Sequence, residues 1–223
     1  MKEKPIIFSA DMVKTILDGK KTMTRRLVKF KDFTTDGITP LHIELVEGRY
    51  CLFNERNGWL IGYPKCPYGK IGDRLWVRET WIEGYDDPLI ESEGDDENAV
   101  SIIYKADGKE EYRTCSAETA ENWGNFSADS EMVGFKSPIH MPRWASRLLL
   151  EITDIRIERL QDITEADAIK EGLGSGILRD CKVPKFSSLW DSLYQDDEPK
   201  QWKNNPWVWV IEFKKVKNDK PSD

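Results

Sequence analysis

The segment Trp207-Val208-Trp209-Val210-Ile211-Glu212-Phe213 constrains the fold of this chain more than any other. Trp207, Trp209, Ile211 and Phe213 alternate with Val208, Val210 and Glu212, which is the period of an extended strand. Over its first half the run is apolar on both faces. A strand of that kind is predicted to lie centrally in a sheet or beneath a helix, not at an open edge. With 223 residues the chain can supply that cover, as one large domain or two small ones.

A second strand is read at Arg74-Leu75-Trp76-Val77-Arg78-Glu79-Thr80-Trp81, entered from the stiff and then sharply turning connection Pro64-Lys65-Cys66-Pro67-Tyr68-Gly69-Lys70-Ile71-Gly72-Asp73. Alternation puts Leu75, Val77, Glu79 and Trp81 on one face and Arg74, Trp76, Arg78 and Thr80 on the other. Glu79 therefore shares a face with core-forming residues. A carboxylate there needs a partner, because burying an isolated charge is costly. A buried salt bridge or a strand end pointing into water would satisfy it, and so would a functional role. Further strands are predicted at 148–155, and at 50–53 and 59–61 around the turn Asn57-Gly58, with hairpin-like segments at 101–104 and 111–114.

Helices complete an α+β reading. Ser9 is placed to cap a helix starting at Ala10, with Phe8 and Val13 as a hydrophobic staple, an apolar stripe of Met12, Val13, Ile16 and Leu17, and Gly19 to let the chain leave. Thr164 opens a second helix, with Asp167 three residues on and Gly172 near its end. Short helices are predicted at 117–122 and 187–194. After Gly19, a strand would place Thr22, Thr24 and Arg26 on one face and Met23 and Arg25 on the other.

Charge narrows the partners. A net charge of -7 argues against non-specific coating of nucleic acid, whose affinity comes largely from neutralising phosphates. Residues 1–31 nevertheless hold nine Lys or Arg against three acids, an end suited to facing phosphate. Residues 83–97 hold eight acids and no Lys or Arg, which reads as a solvated loop and not a metal cage. That loop opens an insertion at about 84–134 with too little apolar periodicity for a core of its own, and 218–223 form a polar tail. The four cysteines are scattered without a CxxC pair and only two histidines are present, so no structural zinc is expected; carboxylates could still bind magnesium, but no acidic motif singles out a metal site and no cofactor is expected. The glycine cluster Gly172-Leu173-Gly174-Ser175-Gly176 matches neither phosphate-loop pattern. No apolar run is long enough to span a membrane and nothing marks the start for secretion, so a cytoplasmic location is expected.

The pattern G-x-K-x-x-x-x-R, present as Gly19, Lys21 and Arg26, and the downstream Gly72-Asp73-x-Leu75-Trp76-Val77-Arg78-Glu79 resemble the two signatures of ASCH-domain proteins, a branch of the PUA-like superfamily. The whole chain, with Ile139-His140-Met141-Pro142-Arg143-Trp144-Ala145-Ser146-Arg147 and Asn205-Pro206-Trp207-Val208-Trp209, is similar to the longer ASCH proteins of bacteriophages and prophages. The resemblance implies a single ASCH/PUA-like domain over 1–217, built as a small β-barrel with associated short helices. It also implies a bacterial host cell, and a cleft that binds RNA or a modified nucleoside.

Small bacterial ASCH proteins include an amidohydrolase that deacylates N4-acetylcytidine, and its lysine, threonine and glutamate correspond to Lys21, Thr24 and Glu79. In that scheme Thr24 attacks the amide carbonyl, Lys21 takes and relays its proton, and Glu79 orients the lysine or protonates the leaving amine. Gly19, Arg26, Trp76, Arg78, Trp144 and Arg147 would form the ligand site, because arginine clamps anions and stacks on bases and tryptophan stacks likewise. Trp76 and Trp144 also fit core packing. The scheme requires the turn after Gly19 to extend through Lys21, since in one regular strand Lys21 and Thr24 point apart. It also requires a loosened Lys21 proton, which Arg26 favours and a close Glu79 opposes. Three functions follow: capture of RNA or a modified nucleoside, hydrolysis of its acyl amide, or a phage accessory protein that docks a host protein through the acidic insertion.

Overall fold

In the computed structural model, which describes residues 1–30, 41–83, 99–114, 134–174 and 182–218, the apolar C-terminal run forms strand β11, Trp207–Val216. It lies between β10 (Leu149–Arg159) and β2 (Met23–Leu27), and Val208, Trp209, Val210 and Ile211 are all buried. The strand is therefore central, as its two apolar faces require. The described residues divide into two units, one from 1–19, 74–151 and 215–223, the other from 20–73 and 152–214. β10 contributes its first three residues to unit one and the rest to unit two.

In unit one, β1 (Glu3–Ile7) runs parallel to β6 (Arg74–Arg78), which pairs antiparallel with the start of β10. Between β1 and β6 in sequence comes α1 (Ala10–Leu17), where the Ser9 side chain accepts from Met12 N and Val13 and Ile16 face the core. The strand predicted through Trp81 is interrupted: β6 stops at Arg78, and β7 (Trp81–Glu83) begins a separate sheet with β8 (Ala99–Tyr104) and β9 (Glu110–Thr114). Glu79 sits at that break. Ile102 and Tyr104, from the segment read as an insertion without a core, are fully buried with Trp81, Met141 and Ala145. The period-2 signal was too short there to show that these two residues complete a core begun by Trp81.

Unit two holds β2, β11 as far as Lys214 and most of β10, a second sheet in the order β3-β4-β5 (Leu41–Val46, Arg49–Asn54, Leu60–Gly62), and the helices α2 (Glu165–Lys170) and α3 (Lys182–Leu193). One face of the β2–β11 ladder packs Met23, Val208 and Val210 against Leu160, Ile163, Ala168, Phe186 and Trp190. Thr164 and Asp167 cap α2 reciprocally, as predicted. α3 starts five residues before the helix expected at 187–194, because Glu165 accepts hydrogen bonds from the backbone nitrogens of Lys182 and Val183 at 2.7 and 3.2 Å. The fold is thus α+β, and among the described residues the hydrogen-bonded sheet orders are open. The predicted helix at 117–122, nearly all of the acidic run, Cys115, Cys181, Lys31, Ser175, Gly176 and the tail beyond 218 lie outside the described residues. No helix among the described residues is long and apolar enough to cross a membrane.

Candidate functional site

The residues expected to act together fall into two ionic networks, one in each unit. In unit two, Gly19 closes α1 just before the unit begins, at φ 71°, a left-handed conformation that glycine adopts without strain. Lys21 follows, almost wholly buried. Its Nζ donates to the Met23 carbonyl at 2.8 Å, the Glu171 carbonyl at 2.9 Å and Glu171 Oε2 at 2.7 Å, the three acceptors that an ammonium can use. Burial pushes the Lys21 ammonium below its ordinary value; Glu171 opposes the shift without cancelling it, and Arg26 and Arg25 add to it. Within unit two the carboxylate that this lysine holds is Glu171, the residue that caps the end of α2.

Arg25 extends the same network. Its guanidinium donates to Glu171 Oε1 at 3.4 Å, Asp167 Oδ2 at 3.2 Å and Glu158 Oε2 at 3.3 Å, with its side chain fully buried. Arg156 holds the other side of Glu158 and also binds Asp154 and Glu212. Lys21, two residues before β2, and Arg25 within it share Glu171. The ladder pairs Arg25 with Val210 on one face, and Thr24 with Ile211 and Arg26 with Trp209 on the other. Thr24 is thus on the face of β2 opposite Arg25, the residue that shares Glu171 with Lys21.

In unit one, Glu79 is buried and gripped by Arg147 through two parallel bonds, Nε to Oε1 at 2.9 Å and Nη2 to Oε2 at 3.0 Å. Burial raises the Glu79 carboxyl above its ordinary value, and the Arg147 fork pulls against that rise. Arg147 also donates to Asp107 at 2.9 Å in the β8–β9 turn and lies 4.0 Å from the centre of the Tyr104 ring. This is the buried salt bridge that the position of Glu79 on a core face allowed. Trp76 is buried in β6 with the Arg78 guanidinium 4.8 Å from its ring centre, and half-buried Trp144 packs against the Trp81–Tyr104 cluster.

A third feature was not found from the sequence. Unit two contains an open cavity of about 460 Å³ lined by Arg49, Lys65 and Lys70, by Tyr50, Tyr63 and Trp209, and by parts of the 64–71 connection, with no carboxylate among its lining residues. The Arg49 guanidinium lies 3.9 Å from the Tyr63 ring centre, and Tyr50 meets Trp209 edge to face at 6.4 Å. Trp209 is on the Thr24 and Arg26 face of the ladder. The 64–71 wall is held by Asp73: its carboxylate accepts from Lys70 N at 3.2 Å, its own N–H donates to the Lys70 carbonyl, and its carbonyl accepts from Ile152 N in β10. The sequence signal was the stiff connection itself, rich in Pro, Gly and Lys, but nothing in it showed that β4 and β11 would meet it. No group of three or more His, Cys, Asp and Glu residues is placed to hold a metal among the described residues.

No family model, curated protein or solved structure matches the chain.

Proposed function

We propose that the chain is a PUA-like module of the ASCH type that captures RNA, by one base or nucleotide, or a modified nucleoside in the unit-two cavity. A small PUA-like barrel with associated helices is the finer architecture that goes with this proposal. The observation that carries it is the lining: three cations and three aromatic rings around about 460 Å³, with no carboxylate among them. That volume suits one nucleoside-sized ligand, and aromatic walls offer stacking to any base. The net charge of -7 disfavours tracking of a long backbone, so capture of a single unit fits the charge.

The test is titration of tryptophan fluorescence with N4-acetylcytidine, the four common ribonucleosides, their 5′-monophosphates and a short single-stranded RNA. Saturable binding is expected, weakened about tenfold or more by Trp209→Leu and by Tyr63→Ala. Wild-type affinity in both variants would remove the cavity from the reading. Arg26→Ala and Trp144→Ala test the contacts implied by the resemblance in the same titration.

A second reading, hydrolysis of the acyl amide, is favoured by the burial of Lys21, which loosens its proton. It predicts acetate release from N4-acetylcytidine and a loss of turnover of about a hundredfold or more in Lys21→Ala. The place of Thr24 on the face opposite Arg25 weighs against Thr24 as its nucleophile. Absence of acetate would leave the binding reading alone.

A further inference from the structure

We propose that the cavity contains a phosphate subsite, formed by Arg49, Lys65 and Lys70, so that it takes a nucleotide in preference to the neutral nucleoside. This rests on the proposed capture of a base in the same cavity and adds the chemical class of what is captured.

Charge pairing is the first support. Three buried or half-buried arginines of this acidic chain, Arg25, Arg147 and Arg156, each hold two or more carboxylates. Arg49, Lys65 and Lys70 all line one cavity and none has an ion-pair partner among the described residues. Three like charges converging on one concavity repel each other, and an anion there relieves that repulsion.

Geometry is the second. The Arg49 guanidinium is stacked on Tyr63, which fixes its plane and leaves its N–H edge available for two-pronged donation to phosphate oxygens. Lys70 is carried on a connection pinned at both ends of its turn by Asp73. The Arg49 guanidinium and the Lys70 backbone are thus positioned before any ligand arrives, which lowers the entropy lost on binding. Trp209 and Tyr50, set edge to face, belong to the same lining as the three cations, so a base stacked on either would share the concavity with its phosphate.

The experiment compares, by calorimetry at low and at moderate salt, the four ribonucleosides, their 5′-monophosphates and inorganic phosphate, on the wild type and on Lys65→Met/Lys70→Met. Both lysines are exposed, so the variant keeps the packing of the fold. A monophosphate is expected to bind at least about tenfold tighter than its nucleoside, the contribution of one charge-assisted hydrogen bond. That advantage should shrink with added salt and disappear in the double variant. Equal or tighter binding of nucleosides would overturn the phosphate subsite while leaving base capture standing. Monophosphates binding no better than inorganic phosphate would keep the subsite and remove base capture. Binding of no probe would overturn both.

Discussion

Lys21 is tied to Glu171 by side chain and main chain at once: its Nζ holds both the carboxylate and the carbonyl of Glu171, and the two residues form an isolated antiparallel bridge. The neighbouring Thr22 N–H donates to the Lys170 carbonyl at 2.8 Å. A turn after α1 is thereby fastened to the end of α2, across 150 positions of sequence.

Glu171→Ala strips a carboxylate from two buried cations, Lys21 and Arg25, and should lower stability by about 3–5 kcal/mol. Lys21→Met leaves Glu171 with Arg25 and should cost clearly less. Urea unfolding midpoints of the two variants measure the difference; equal losses would mean that Glu171 is not the hub of the network.

Tyr104 sets a limit at high pH. Burial pushes its phenol up to about 12, with Arg113 opposing, while its O–H donates to the Ala145 carbonyl at 2.8 Å. A folded pKa above the unfolded value of about 10 means that the stabilisation is complete below that pH and is lost as pH rises towards 12. The stability advantage of wild type over Tyr104→Phe should therefore fall by about 2–3 kcal/mol across that window. Urea midpoints for both proteins along a pH series give the answer, and a constant gap would contradict the assignment.

Gly69 is predicted to resist substitution. Its φ is 126°, and an added Cβ would come within 3.0 Å of Asp73 Oδ2, the atom that holds the Lys70 N–H. Gly69→Ala should destabilise by at least about 1 kcal/mol and weaken ligand binding in the cavity. Gly58→Ala, at a positive φ but with open space around its Cβ, should show the strain cost without the binding defect. Paired thermal melts and titrations separate the two effects.

Glu165→Ala removes the acceptor for the first two N–H groups of α3, where Pro184 offers no N–H of its own. The expected cost is about 1–2 kcal/mol, with Glu165→Gln recovering part of it. Hydrogen exchange at the first turn of α3 should rise in Glu165→Ala more than at α2.

The local elements were largely legible because their signals are local. Ser9, Gly19, Thr164 and Asp167 mark helix ends through bonds three or four residues long, and the alternation around Trp209 reports two buried faces directly. β1 and β3 were missed: Pro5 breaks the strand signal of the first, and the second is a short run whose faces are decided by its pairing with β4. The early start of α3 was equally hidden, since its cap comes from another helix.

The candidate site was less legible because ionic partners are chosen by topology. A lysine two residues after a glycine announces an unusual turn, but not that Glu171 will meet it. An inward-facing Glu79 announces a partner, but not that Arg147 will supply both prongs. The cavity is the extreme case: Arg49, Tyr63, Lys70 and Trp209 are unremarkable where they stand in sequence and become a lining only when β4, the 64–71 connection and β11 are assembled.

The order in which a ribosome adds those parts has a consequence. Most of the lining lies between residues 48 and 71, Ile155 follows much later, and Trp209 is added last of all. A nascent chain that has released its first hundred residues carries the three cations and two tyrosines of the lining without Trp209, which Tyr50 meets edge to face. Under the proposed function, capture of a ligand in the cavity would therefore wait until translation has passed residue 209 and β11 has entered its sheet, so that binding there would report a folded β11.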